Sequence, residues 1–532
     1  MVGATGFNAN GILTNSTGWN ISVSPARKLR WVDNSATANH VGDWNDATYW
    51  EQILPSYAAA PQCPPTKVDT VIFDNGSFPQ AGHAFRVNTP LEVASMYWQN
   101  TGSNTPRLLG NATISIYGSL LLPPVNSANF MTGSTSNFEF RGIPTAQFPS
   151  FTIKTNGQRL RGNALFQSAS DNARWDLQDS LAMVRFTLNR GKFYTNGYPM
   201  YSVGAGAGYF ITALNTTDLR TMDITNSRIW TFIGSGAPWS VINSGPVTNT
   251  TINASGSHIY VGPEAGGNGT FMGGGYKYHN VCMKPFGISG WPATMGVTNG
   301  DEFDYMELSA AAIRITGGPN LKAKHLKTTS PDFVLSSTLS IIDTIELLGA
   351  SNKLLSSNRF RDMFEVAPGT TFISGANQVQ WFDNDCPVNL LGTSSANIQM
   401  YSSVTNVPSY LRKDSATVCA DYIYIKDIWG IGNGNNPGLC NTYSQTGVNT
   451  NCTPSPANSW IVSTCDTITD DASSCGPWKP TQPLRGRAAF TAGSYADNQS
   501  GNAGWDYRPY PPIPSIQLAT ASPSICVGQS VP

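Results

Sequence analysis

The feature that most constrains this chain is its punctuation. Short runs of β-branched, aromatic and aliphatic residues alternate with Gly, Asn and Ser turns from end to end, and helical periodicity is scarce. Runs of this kind cover Ala112–Leu122, Phe151–Leu160, Phe186–Gly197, Met222–Phe232 and Thr251–Gly262, and later Ile313–Leu321, Ile341–Leu348 and Phe364–Gln380. The best helical candidate lies around Glu302–Ile315, where the alternation fits a strand as well. MDITNSRIW and INASGSHIY are the closest pair, each placing Asn, Ser or Gly between an apolar strand and a second strand that starts at Ile. Starts recur about every 30 to 40 residues, as in a degenerate solenoid. The expected fold class is therefore all-β, a right-handed parallel β-helix. Alternating side chains would point in and out, and small or Asn residues would turn the corners. A β-sandwich explains the alternation too, but calls for clearer two-residue hairpin turns and a shorter domain.

Composition narrows the partners. Charged residues are only 12% of the 532 and the net charge is −1. No basic stripe is available to displace counterions from a nucleic acid, so neither DNA nor RNA is an expected partner. No apolar run is long enough for a transmembrane helix. The opening MVGATGFNANG has neither the basic nor the apolar region of a signal peptide.

Four of the nine cysteines, Cys440, Cys452, Cys465 and Cys475, fall in a segment rich in Asn, Ser, Thr and Pro. Such a segment has little apolar surface to bury, and cross-links would order it. Cys440–Cys452 and Cys465–Cys475 are read as local pairs, with the other pairings left open by sequence. Zinc is disfavoured, since there is no C-x-x-C and no histidine near the cluster. The domain reading is an N-terminal extension or cap over 1–29, then a β-helix over 30–507 carrying a Cys-rich loop insertion at about 384–480. A proline-rich linker follows from 508 to 532, with SIQLATASPSICVGQSVP as the first strand of an Ig-like β-sandwich that would continue further.

The two ends carry a resemblance. Arg30-Trp31-Val32, Gly42-Asp43-Trp44-Asn45-Asp46 and Tyr49-Trp50 are followed by Cys63-Pro64-Pro65-Thr66, Asp69-Thr70-Val71-Ile72-Phe73-Asp74 and Met96-Tyr97-Trp98. This set resembles the opening of large Bacteroidetes surface proteins, similar to gliding-motility-associated adhesins exported by the type IX secretion system. Asn502-Ala503-Gly504-Trp505-Asp506-Tyr507 is similar to the close of the same module, and SICVGQSV to the start of the Ig-like repeats that follow it. Where the family pattern has a second cysteine before Met96, this chain has Val93-Ala94-Ser95, so Cys63 has no assigned partner. The resemblance implies an extracellular, cell-surface adhesin. Its partners would be surface glycans or proteins, together with secretion or motility machinery and accessory subunits. Trp31, Trp44, Trp50 and Trp98 fit a cap over the solenoid's open end. They also fit a sugar-stacking platform, in which Trp44, Trp50 and Trp98 are the ligand-binding candidates.

β-Helices also host polysaccharide lyases and hydrolases. The best acidic cluster is Asp301-Glu302-Phe303-Asp304-Tyr305-Met306-Glu307. On a strand, Glu302, Asp304 and Met306 would share one face, with Glu302 and Asp304 about 7 Å apart as candidate acid and base. A solvated acidic face is the alternative. Asp383-Asn384-Asp385 and Asp470-Asp471 offer oxygens to Ca²⁺ but fit no calcium-loop pattern, so neither calcium nor any other cofactor is predicted. The Gly-rich stretches Gly204–Gly208 and Gly266–Gly269 lack the Lys-Ser/Thr of a phosphate loop. Thr70, Ser180, Thr344, Ser415 and Thr467 each stand in an Asp-Ser/Thr-aliphatic context that resembles Bacteroidetes O-glycosylation sites. A structural spacer without any site is the third functional reading.

Overall fold

The computed structural model describes residues 26–55 and 63–431, apart from short internal stretches, and the backbone of strands Ala489–Ala492, Asp497–Ser500 and Trp505–Tyr507. It divides into two compact units, Met1–Asp304 and Tyr305–Pro532. Each is built from parallel strands stacked coil upon coil, so the β-solenoid expected from the punctuation is the fold. The region read as a possible helix forms strands Glu302–Leu308 and Ala312–Gly317.

In the first unit most coils give one strand to each of three faces. Strands Ser95–Trp98, Leu120–Leu121 and Phe151–Lys154 stack on one face. Strands Leu91–Val93, Ile114–Ile116, Phe138–Phe140 and Ala164–Gln167 stack on a second, and Met200–Gly204, Arg228–Ile233 and His258–Pro263 on a third. Alternation decides what is buried. Phe138 and Phe140 point inward while Glu139 points out, and Phe140 stacks on Phe166 of the next coil with ring centroids 4.6 Å apart. MDITNSRIW and INASGSHIY do occupy consecutive coils, with Met222 opposite Ile252 and Ile229 opposite Ile259. Their corner residues, Asn226 and Gly256, both adopt left-handed backbone, at φ 58° and 65°. A Cβ on Gly256 would come within 2.2 Å of Asn226 Oδ1, so glycine there gives room to the asparagine one coil away.

The coils are shorter than the expected repeat. Met222 pairs with Ile252, 30 residues on, but Trp175 pairs with Phe193, only 18 on. In the second unit Asp332 pairs with Ser351, 19 residues on. The second unit has two strands per coil, one short and one long. The long strand Ser340–Leu347 buries Ser340, Ile342, Ile345 and Leu347, and leaves both Asp343 and Thr344 facing out. The doubled outward pair bends the strand around a corner, so one strand serves two faces. Lys322–Thr328 and Asn358–Val366 show the same break in alternation. Strand Glu302–Leu308 in the first unit carries it too, which is why Met306 is buried rather than on the outward face with Asp304.

The expected Cys-rich insertion at about 384–480 is also redrawn. Strands Val388–Leu391, Ile398–Ser402, Ser409–Lys413, Thr417–Asp421, Ile423–Lys426 and Ile428–Ile431 continue the solenoid through its first half. Parallel pairing resumes between Thr417–Asp421 and Ala489–Ala492. Cys440, Cys452, Cys465 and Cys475 lie outside the described residues, as do the 508–532 linker and Ig-like strand.

A buried polar ladder lines one corner of the second unit. Asn358 Nδ2 donates to Gln380 Oε1 at 3.0 Å, and Gln380 Nε2 to Ser356 O at 2.9 Å. Ser357 Oγ donates to Gln378 Oε1 at 3.0 Å. Turns in this unit pass through left-handed residues Asn320, Asn377 and Asn406, but at Leu339 a leucine holds φ 57°. A β-carbon costs roughly 1–2 kcal/mol in that region, and asparagine tolerates it best after glycine. Leu339→Asn is therefore expected to raise stability by about 1 kcal/mol, read as a higher urea midpoint with an unchanged slope.

Candidate functional site

The motif residues at the N-terminus build a cap. Strand Lys28–Trp31 pairs antiparallel with Trp50–Leu54 and parallel with Thr70–Phe73. A turn of chain that reverses direction thus covers the first sheet edge. Gly42 leaves space for the Trp31 indole, since a Cβ there would stand 2.7 Å from its Cζ2. Trp31 stacks on Tyr49 with centroids 4.7 Å apart, and Phe73 on Trp98 at 4.0 Å. Asp46 accepts Thr48 N–H and caps the 3₁₀ turn Ala47–Tyr49. Asp69 is a buried clamp that accepts Arg27 Nη2 at 2.7 Å and Thr66 N at 2.8 Å. These hydrogen bonds, outweighing burial, hold its carboxyl below the usual aspartate range. His40 Nδ1 donates to Asp33 Oδ2 at 3.0 Å, and His83 Nδ1 lies 3.0 Å from the same buried oxygen without a hydrogen bond's alignment.

The sugar-platform assignment of Trp44, Trp50 and Trp98 is thereby corrected. Each is only 2% exposed, and Trp50 Nε1 donates to Trp44 O at 2.8 Å. A ring enclosed by other rings has no free face for a sugar. Trp50→Ala should cost about 3–5 kcal/mol of stability, measured by chemical denaturation, and should leave any glycan binding per folded molecule unchanged.

The acidic cluster at 301–307 separates into different environments. Asp301 is buried in a turn and accepts N–H groups from Gly275, Tyr276 and Thr298. Burial outweighs those bonds and pushes its carboxyl up to about 6. Glu302 and Asp304 both face outward as expected. Asp304 is engaged by His279 Nδ1 at 2.9 Å and by Lys277 Nζ at 3.8 Å, so it sits in an ion-pair cluster. Elsewhere on the first unit, outward Tyr201, Trp230 and Tyr260 stack coil over coil, with centroids 4.8 and 5.3 Å apart and nearly parallel planes. Their faces are turned to one another, which makes the row a brace for the sheet.

A stronger titratable constellation lies in the second unit. Three coils place Lys327, Glu346 and Glu365 in direct register on one outward face. Glu346 is held by His325, Nε2 to Oε1 2.6 Å, and by Lys327, Nζ to Oε2 3.4 Å. The Tyr305 ring meets His325 edge-on at 5.1 Å. Burial first, and then the Glu346 charge, push the Glu365 carboxyl above the ordinary glutamate range, with Lys327 opposing. No sequence spacing announces this pair, because its members stand 19 residues apart and only the register joins them. A carboxyl raised in the folded state favours its protonated form there. Its contribution to stability is full below the unfolded value and is lost as pH rises through the folded one. Replacing Glu346 with Gln should shift the Glu365 titration midpoint downward, read by NMR of the side-chain carboxyl. An unmoved midpoint would exclude the coupling.

The remaining sites are placed as follows. Thr70, Ser180 and Thr344 are partly exposed, while Ser415 and Thr467 lie outside the described residues. Asp383 is bound by Arg359, Nε and Nη2 at 2.7 and 2.8 Å, and Asn384, Asp385, Asp470 and Asp471 lie outside the described residues. Cys63 is exposed and Cys282 and Cys386 are buried, all three as free thiols. No helix among the described residues is long and apolar enough to cross a membrane. Comparison with protein-family models, with curated proteins and with solved structures found no match for this chain.

Proposed function

We propose that this chain is a non-catalytic adhesive segment of an extracellular, cell-surface protein of the Bacteroidetes gliding-motility type, binding glycans or partner proteins along its solenoid faces. The observation that carries this reading is the axial row. Outward side chains repeat once per coil in fixed register, as in Tyr201–Trp230–Tyr260, and so present a rigid, repetitive surface. Cross-coil pairs such as Arg359–Asp383 and Lys353–Asp332 hold that surface in place, and rigid elements display binding groups with little entropy left to lose. Exposed Asp-Ser/Thr sites such as Thr344 suit an O-glycosylated surface protein, and secretion by the type IX route with accessory subunits completes the reading. Deleting the segment from the surface protein should reduce attachment of cells to glycan-coated surfaces. Undiminished attachment and movement would count against adhesion and leave the spacer reading.

Glu346 and Glu365 favour a second reading, a carbohydrate-active enzyme. Parallel neighbours lie about 4.8 Å apart, close to the roughly 5–5.5 Å between the carboxyls of retaining glycosidases. Glu365 would hold the proton and Glu346 would be the carboxylate steadied by Lys327 and His325. Turnover on a polysaccharide panel that Glu365→Gln abolishes would establish this reading. No turnover by the unaltered chain would reject it.

A further inference from the structure

A groove of about 280 Å³ opens on the first unit, lined among others by Tyr117, Arg141, Ile143, Gln167, Arg190 and Asp218. Its floor follows from register. Ile116, Phe140 and Phe166 are cross-coil partners in the core, and the residues that follow them, Tyr117, Arg141 and Gln167, form an axial row at the corner. Arg190 continues that row opposite Gln167, after a bulge at Asn189. One long side chain per coil thus stands about 4.8 Å from the next.

Each member of the row is fixed. Tyr117 donates its hydroxyl to Glu92 Oε1 at 2.8 Å, and burial, aided by Glu92, pushes its phenol up to about 12, so it remains a donor with a fixed ring. Arg141 gives Nε and Nη2 to Glu139 Oε2, at 2.9 and 2.6 Å, which leaves Nη1 outside the pair. Buried Asn189 donates to Gln167 Oε1 at 3.3 Å, leaving the Gln167 amide donors uncommitted among the described residues. Arg190 Nε is held by Asp171 at 2.6 Å, with Asp218 3.6 Å away. Beside this polar row Ile143 stands 54% exposed.

Donors and acceptors held by one another, next to a half-buried aromatic ring and an exposed aliphatic side chain, match a ligand with vicinal hydroxyls on one side and C–H groups on the other. The volume lies near the lower limit for small-molecule sites. Two guanidiniums stand against the carboxylates of Glu92, Glu139, Asp171 and Asp218, so the local field disfavours an anionic ligand. We propose that this groove is a subsite for one neutral pyranose of a glycan, contacted by Arg141, Gln167 and Arg190 at its hydroxyls and by Tyr117 and Ile143 at its C–H face. The inference rests on the glycan-binding reading above and names its ligand class and place.

The test is an array of neutral (cello-, manno- and xylo-oligosaccharides), acidic (oligogalacturonates, oligo-alginates) and cationic (chitosan oligosaccharides) glycans. It is probed with the full chain and with Arg141→Gln and Ile143→Asp, each first matched to the parent in thermal midpoint. The expected result is binding to one or more neutral oligosaccharides, weakened at least tenfold by either substitution. If the parent binds neutral glycans and both variants bind equally well, the groove is not the site, while the glycan reading stands. Binding confined to acidic or cationic oligosaccharides overturns the neutral class. If the parent binds nothing on the array, glycan binding itself fails and this inference with it.

Discussion

Every feature of this fold depends on the hydrogen bonds that run between parallel strands of successive coils. They fix each residue directly above its partner, about 4.8 Å away. A side chain therefore has as its nearest neighbours whatever the coils before and after put at the same position. Inward columns must be apolar throughout, as Ile116, Phe140, Phe166 and Leu188 are. Corners must turn at the same height, which selects residues that accept left-handed backbone, as Asn226 and Gly256 do. Outward charges stacked in register repel unless their signs alternate or a counterion reaches across, which suits a chain with only 12% charged residues.

Against that rule, Glu346 over Glu365 is a local conflict. Lys327 and His325 relieve Glu346, and Glu365 answers by favouring its proton. Places where a chain departs from the rule that organises its fold are where a site is best sought. The groove at Tyr117–Arg190 follows the rule instead: its carboxylates and guanidiniums are already paired before any ligand arrives, so a neutral partner need not displace a strong ionic contact.

Much of the fold was legible in the sequence because strand alternation and corner residues are local signals. MDITNSRIW and INASGSHIY could be matched as consecutive coils without any coordinates. Coil length was harder to read, because a long strand that bends at Asp343-Thr344 does the work of two and leaves no turn residue to mark the corner. The same bend hid the inward turn of Met306. The Asn, Ser and Thr texture beyond 384 looked like loop, although its strands bury such residues as Ile398, Met400 and Ile425. The tryptophan motif was visible, but its spacing is compatible with both a cap and an open platform; the enclosure of Trp44 by Trp50 and Phe85 decides for the cap. Glu346 with Glu365, and Tyr117 with Arg141 and Arg190, were beyond reach because their proximity is a matter of register between coils.

The short coils of the second unit have a mechanical consequence. Because the hydrogen bonds between coils lie along the stacking direction, a pull on the chain from one end of that unit opens them a coil at a time instead of shearing a whole sheet at once. With Asp332 and Ser351 one coil and 19 residues apart, each coil released would pay out on the order of 65 Å of extended chain. Such a stack would meet a sudden tug by lengthening in steps, dissipating work at each one, while the coils not yet released keep their register.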